Sequence, residues 1–165
     1  MLYTSTVGGN ADIYELSLND GSTRQLTTLP STEVQPSYAA DGKSFVYVSD
    51  KVRAGRPRIY RYDFATSSAS LIATNGYAAS PQLSGDGQRM AYLNGRKAAI
   101  MTLATRRVVD LAETGLDEPA RLSPSGQYAV YPTRSSLLIT SLTGGNSYTI
   151  SSQAGTVIRS PIWGR

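Results

Sequence analysis

PSYAADGKSFVYVSD, residues Pro36 to Asp50, decides the fold, because its pattern returns twice further along the chain. Pro81 to Asn94 reads PQLSGDGQRMAYLN and Pro119 to Thr133 reads PARLSPSGQYAVYPT, each an apolar strand, a tight turn and a second apolar strand. The turns Asp41-Gly42, Asp86-Gly87 and Ser125-Gly126 stand 45 and 39 residues apart, and Tyr47, Tyr92 and Tyr131, each 6 residues beyond its turn, keep the same intervals. A period of about 40 to 45 residues with four strand-like runs is that of a β-propeller blade. Asp-Gly supplies the positive φ that a hairpin turn needs. The pattern therefore predicts an all-β fold of four-stranded antiparallel blades without helices longer than one turn.

Working outward, the chain reads as one propeller domain over residues 1–165. Strands at Leu2 to Val7, Asp12 to Leu18 and Thr23 to Thr28 make a partial blade over 1–29, entered one strand late because Leu2-Tyr3 matches Val46-Tyr47. Blades follow over about 33–73, 77–112 and 117–151, and VIRSPIWGR at the end supplies a lone first strand over 157–164. Sixteen strands amount to four blades' worth, and the last can complete the first blade, removing two open edges. A closed small ring, an open arc and a paired second chain all satisfy this count. Ile13-Tyr14 and Ile59-Tyr60 repeat on third strands, which predicts aromatics packed between neighbouring blades; the second full blade has Ala99-Ile100-Met101 instead and a less bulky contact.

Composition narrows the function. There is no histidine, which removes the commonest general base and transition-metal ligand, and no cysteine, which removes thiolate chemistry and disulfides. No window approaches 18 consecutive apolar residues, so no membrane insertion is expected, and any export signal would lie outside these 165 residues. The formal charge is +4, but lysine and arginine are spread without a run, so a nucleic-acid partner is not expected. The basic group Lys51, Arg53, Arg56, Arg58 and Arg61 reads first as a solvated loop with charged strand residues and second as an anion site. Aspartate-glycine pairs between apolar strands are turns rather than metal loops. Trp163, at the repeat position of Tyr38, reads as a packing residue.

The order DIYELSLNDGSTRQL, PSYAADGKSFVYVSD, GRPRIYRYDFATSSASLI, together with Gly115 to Glu118 before SPSG and the ending Arg159 to Trp163, resembles the C-terminal propeller of the TolB family of the periplasmic Tol-Pal system. The resemblance covers essentially the whole chain. It departs at Ser84-Gly85-Asp86-Gly87, which lacks the usual proline, and at Pro119, one position early relative to Pro36 and Pro81. It implies part of a six-bladed ring, a periplasmic location and a non-enzymatic scaffold supporting envelope integrity and cell division. Its implied partner is the peptidoglycan-associated lipoprotein Pal. Colicin segments are implied to compete for the same mouth of the channel, and TolA to be contacted only through an N-terminal region outside this chain. With part of the rim missing, these residues alone are expected to bind Pal weakly or not at all. A regulatory propeller of a serine peptidase or other hydrolase is the alternative, and a lectin-like propeller would carry more tryptophan than the single one present.

The candidate partner-binding residues are Thr32, Glu33, Gln35, Asp117, Glu118, Thr156 and Arg159. All lie at or just before a first strand, and successive blades repeat that entry on one face of the ring. No catalytic residue, metal ligand or cofactor is assigned. Asp117 and Glu118 are adjacent, so on an extended strand they point to opposite faces and do not share a substrate.

Overall fold

The computed structural model describes residues 1–72, 76–114 and 118–163. Strands β1 (Leu2–Ser5), β2 (Asp12–Leu16) and β3 (Thr23–Gln25) form a three-stranded antiparallel sheet. Three four-stranded antiparallel sheets follow. The first comprises β4 (Glu33–Tyr38), β5 (Ser44–Ser49), β6 (Arg58–Asp63) and β7 (Ser68–Leu71). The next holds β8 (Ala78–Leu83), β9 (Arg89–Asn94), β10 (Lys97–Thr102) and β11 (Arg107–Glu113). The last holds β12 (Arg121–Leu122), β13 (Tyr128–Pro132), β14 (Ser136–Ser141) and β15 (Tyr148–Ser151). No helix occurs among the described residues.

The repeat read from the sequence is the repeat of the structure. Tyr3 faces Tyr14, Tyr47 faces Tyr60, Tyr92 faces Ala99 and Tyr131 faces Leu138, so the four sheets share one register. The hairpin glycines Gly42, Gly87 and Gly126 have φ of 66°, 68° and 67°, the left-handed conformation for which Asp-Gly and Ser-Gly were selected. The strands of the first sheet stop earlier than the apolar pattern suggested, because Val7 and Leu18 lie in turns and stay exposed.

A strand alternates its two faces, and each inner sheet uses both. One core, Ile13 with Phe45, Tyr47 and Tyr60, fills the seam between the first and second sheets. A second joins Val46, Val48 and Ile59 to Met90, Tyr92 and Met101 across the next seam. The third seam is built mainly from small residues, Ala91, Ala98, Ala120 and Ala129, together with Ile100 and Tyr131. Tyr47, Tyr92 and Tyr131 thus each enter the seam shared with the preceding sheet and are 1%, 1% and 4% exposed. Burying each such ring is worth on the order of 2–3 kcal/mol from apolar area alone.

Small residues let the third and fourth sheets approach closely. A side chain at Gly85 would collide with the carbonyl oxygen of Pro124 in the next sheet, well inside van der Waals contact. Arg89 Nη1 donates to the Gly126 carbonyl at 2.9 Å across the same seam. The proline missing from Ser84-Gly85-Asp86-Gly87 is therefore missing for a steric reason.

The end of the chain differs from the expectation of a closing strand. Residues 157–163 form no strand and lie beside β12. Ser160 has φ 49°, Pro161 has no N–H to give to a ladder, and the Ser160 N–H goes to Glu118 Oε2 at 2.7 Å. Trp163 is half-buried rather than a core residue: Nε1 donates to the Arg121 carbonyl at 2.9 Å and its ring lies 6.5 Å from Tyr128.

Candidate functional site

Proline cannot donate to a ladder, so Pro36 and Pro81 force the first strands β4 and β8 to break register. The pairing shifts between Val34 and Ser37 in β4 and between Ala79 and Gln82 in β8. The residue before each proline takes up the bulge in the left-handed region, Gln35 at φ 55° and Ser80 at φ 53°, and Ser160 before Pro161 has a left-handed φ of 49° outside any strand. Such a conformation costs about 1–2 kcal/mol at a non-glycine residue, and strained backbone of this kind gathers where a structure is shaped for function.

A hydrogen bond joins the bulges of β4 and β8, and a similar one ties the terminal segment to the entry of β12. Gln35 Oε1 accepts the Ser80 N–H at 2.8 Å, and Glu118 Oε2 accepts that of Ser160. In both pairs the residue before one proline bonds the residue before the next. Strands β4 and β8 and the entry of β12 line a 320 Å³ groove between Gln35, Pro36, Ser80, Pro81, Pro119 and Arg121.

Register fixes which loops share this end. Glu33 pairs with Ser49 and Ser49 with Arg58, while Ala78 pairs with Asn94 and Asn94 with Lys97. The entries of β4 and β8 therefore lie beside loop 50–57 and hairpin 95–96. Asp50 ties this end together, its carboxylate accepting the N–H groups of Thr32 and Gly55, each at 3.0 Å. These two bonds hold the Asp50 carboxyl below the usual carboxylate range.

The seven residues singled out from sequence separate in the structure. Thr32 and Gln35 are exposed at the entry of β4, and Glu118 is half-buried beside Ser160. Arg159 is exposed next to that pair, while Thr156 is exposed in a turn closed on the Gln153 carbonyl. Asp117 lies outside the described residues. Glu33 is the correction. Its side chain is fully buried, with Oε1 accepting from Ser31 Oγ at 2.6 Å and Ser49 Oγ at 2.7 Å, so it is a latch inside the seam and does not reach a rim. Burial pushes its carboxyl above the usual range; the Ser31 and Ser49 bonds pull it back only partly, and the nearby Asp12 carboxyl pushes it further up.

The basic group also separates. Arg58 opens β6 at the entry end, whereas Arg61 sits toward the opposite end and donates Nε to Ser44 Oγ at 3.1 Å. Lys51 Nζ lies 4.0 Å from the centre of the Tyr60 ring, a cation held over an aromatic face. Lys51, Arg53, Arg56, Arg96, Arg134 and Arg159 are all exposed at the entry end. At the other end the turns and strand ends carry Asp20, Asp41, Asp63 and Asp86 beside Lys43, Arg106 and Arg107. Sequence reasoning missed Arg96 and Tyr77 as members of this face; a large aromatic directly after Gly76, ahead of the first strand of a blade, was the available signal.

Sheets joined through inner strands, with a groove along those strands, define a β-propeller module. Residues 1–165 match the TolB beta propeller domain family, and the chain belongs to that family. It is 33% identical over 95 residues to the Tol-Pal system protein TolB of Alcanivorax borkumensis, a match that covers 55% of this chain and 22% of the relative. The crystal structure of TolB from Acinetobacter baumannii superposes with a TM-score of 0.77 at 34% identity, covering 95% of this chain and 41% of that one. A structure from Agrobacterium tumefaciens assigned to TolB shares the fold, with a TM-score of 0.68 at 23% identity over 90% of this chain and 59% of its own. The matches thus span less than half the length of the first two relatives.

Proposed function

We propose that this chain is the propeller part of a periplasmic TolB protein that acts without catalysis, as a docking scaffold for Pal within the Tol-Pal system. The observation that carries the reading is family membership along all 165 residues combined with repeated, strained first-strand entries gathered at one end. A propeller that presents loops on a rigid ring suits binding, and it needs no histidine or cysteine to do so. Thr32, Gln35, Glu118, Thr156 and Arg159 contribute to the docking rim in this reading, and Asp117 joins them from its place in the sequence. Colicin segments would compete there, and the role would be the upkeep of the outer membrane and cell division. The test is a titration of the full-length parent with Pal, comparing Asp117→Ala, Glu118→Ala and Arg159→Ala with Lys43→Ala in the opposite turn. Weakened binding in the rim variants alone is expected; rim variants that match the Lys43 control would overturn the assignment.

A further inference from the structure

Two cavities at the entry end share one wall. A 450 Å³ cavity has Ala79 and Leu93 as an apolar floor, 5% and 4% exposed, with Gln35, Ser80 and Arg96 around it. A neighbouring 290 Å³ cavity is lined by Gly55, Arg56, Arg58 and Gly76. Tyr77 borders both and is 51% exposed.

The ring is carried on backbone fixed from two sides. The Tyr77 carbonyl accepts the Gly95 N–H at 2.9 Å, and the Ala78 N–H donates to the Pro57 carbonyl at 3.2 Å. An aromatic held in this way presents contact area at little cost in conformational freedom. Arg56, Arg58 and Arg96 make no ion pair or side-chain hydrogen bond with any described residue, unlike Arg24, Arg61 and Arg89. An exposed tyrosine flanked by uncommitted guanidiniums over a small apolar floor has the composition of an interface hot spot.

We infer that Tyr77, with Arg56 and Arg58 on one side and Arg96 on the other, is an anchor subsite for an acidic segment of a protein partner. An apolar side chain of that segment enters over Ala79 and Leu93 while its carboxylates pair with the guanidiniums, which suit such bidentate contacts better than lysines do. This inference rests on the reading of the entry end as a protein-docking face and adds the chemistry of what docks. A nucleic-acid strand fits less well. The cations here form two short groups parted by a ring, and Glu113 and Glu118 stand at the same end, so no continuous track follows a phosphate backbone.

The test uses the 165-residue chain and three fluorescent probes: an acidic dodecapeptide with one central leucine, its counterpart with lysine in place of every acid, and an oligothymidylate of matched charge. Binding of the acidic peptide alone is expected, weakened about tenfold by Tyr77→Ala and at least as much by Arg56→Glu/Arg96→Glu, with Lys43→Glu unchanged. Circular dichroism confirms that each variant is folded. Equal binding of the oligothymidylate, with the same sensitivity to the variants, would overturn the inference in favour of a general polyanion site. Acidic-peptide binding indifferent to Tyr77 and the arginines would overturn it outright. Pal titrated against the full-length parent separates the two readings. Failure of Pal to bind while the peptide depends on Tyr77 sinks the Pal assignment alone, and Pal binding unaffected by Tyr77→Ala sinks the subsite alone.

Discussion

Gln35 and Ser80, 45 residues apart in sequence, are joined by a 2.8 Å hydrogen bond from the Ser80 N–H to the Gln35 side-chain oxygen. Each has a left-handed backbone and each precedes a proline, so the bond links two bulges and sets the spacing of two inner strands. Gln35→Ala removes the bond and keeps the strain, with an expected loss of about 1 kcal/mol in urea unfolding. Gln35→Gly also removes the bond but relaxes the φ of 55°, and it is expected to lose less than the alanine variant. The opposite ranking would show that backbone strain is not stored there.

The three second-strand tyrosines are the largest investments in the seams. Tyr47→Ala, Tyr92→Ala and Tyr131→Ala are each expected to cost about 3–5 kcal/mol by chemical denaturation. Unchanged unfolding midpoints in all three would remove them from the core.

Gly85 and Gly42 both lie in turns between a first and a second strand, at different repeat positions, and resist substitution for different reasons. Gly42 has φ 66° and open space around it, so Gly42→Ala pays only for conformation, about 1 kcal/mol. Gly85 has no left-handed requirement, yet its Cβ would strike the Pro124 carbonyl, and Gly85→Ala is expected to cost about 1–3 kcal/mol through overpacking. The two can be told apart in the double variant with Pro124→Gly, which frees the chain to shift and rescues Gly85→Ala alone.

Glu33 predicts a pH dependence. Its folded carboxyl is raised above the ordinary 4.5 by burial, so the folded state keeps a proton that the unfolded chain releases. Stability from this group is complete below about pH 4 and declines as pH rises above the unfolded value toward the folded one. Glu33→Gln has no such proton, so its stability relative to the parent should rise as pH climbs above the ordinary carboxyl value of 4.5. A difference that stays constant as pH is raised through and above that value would remove Glu33 as a source of pH sensitivity.

The strands and their grouping were legible because Asp-Gly turns and apolar alternation are local signals repeated at one period. Pro81 to Asn94 could be laid over Pro36 to Asp50 without any knowledge of contacts. The fate of the last segment was not legible. The pattern of Pro161 to Trp163 matches a first strand, but the carboxylate of Glu118 takes the N–H of Ser160, and that competition is set by tertiary approach. The same limit explains Glu33, which reads as a loop acid until Ser31 and Ser49 are seen to close over it. Tyr77 was hidden because an aromatic in a turn has no periodicity to announce it.

The close seam between the third and fourth sheets bears on how such a chain can change by duplication. A copy of the unit β4 to β7 placed where β8 to β11 stands would bring Ala40 to the position of Gly85 and press its methyl group into the Pro124 carbonyl. It would also bring larger side chains against Ala120 and Ala129, where small ones now meet. The units share a pattern but are not exchangeable parts. What distinguishes one from the next is written in the faces they turn toward each other, and a transplanted unit has to carry its neighbour's matching face with it.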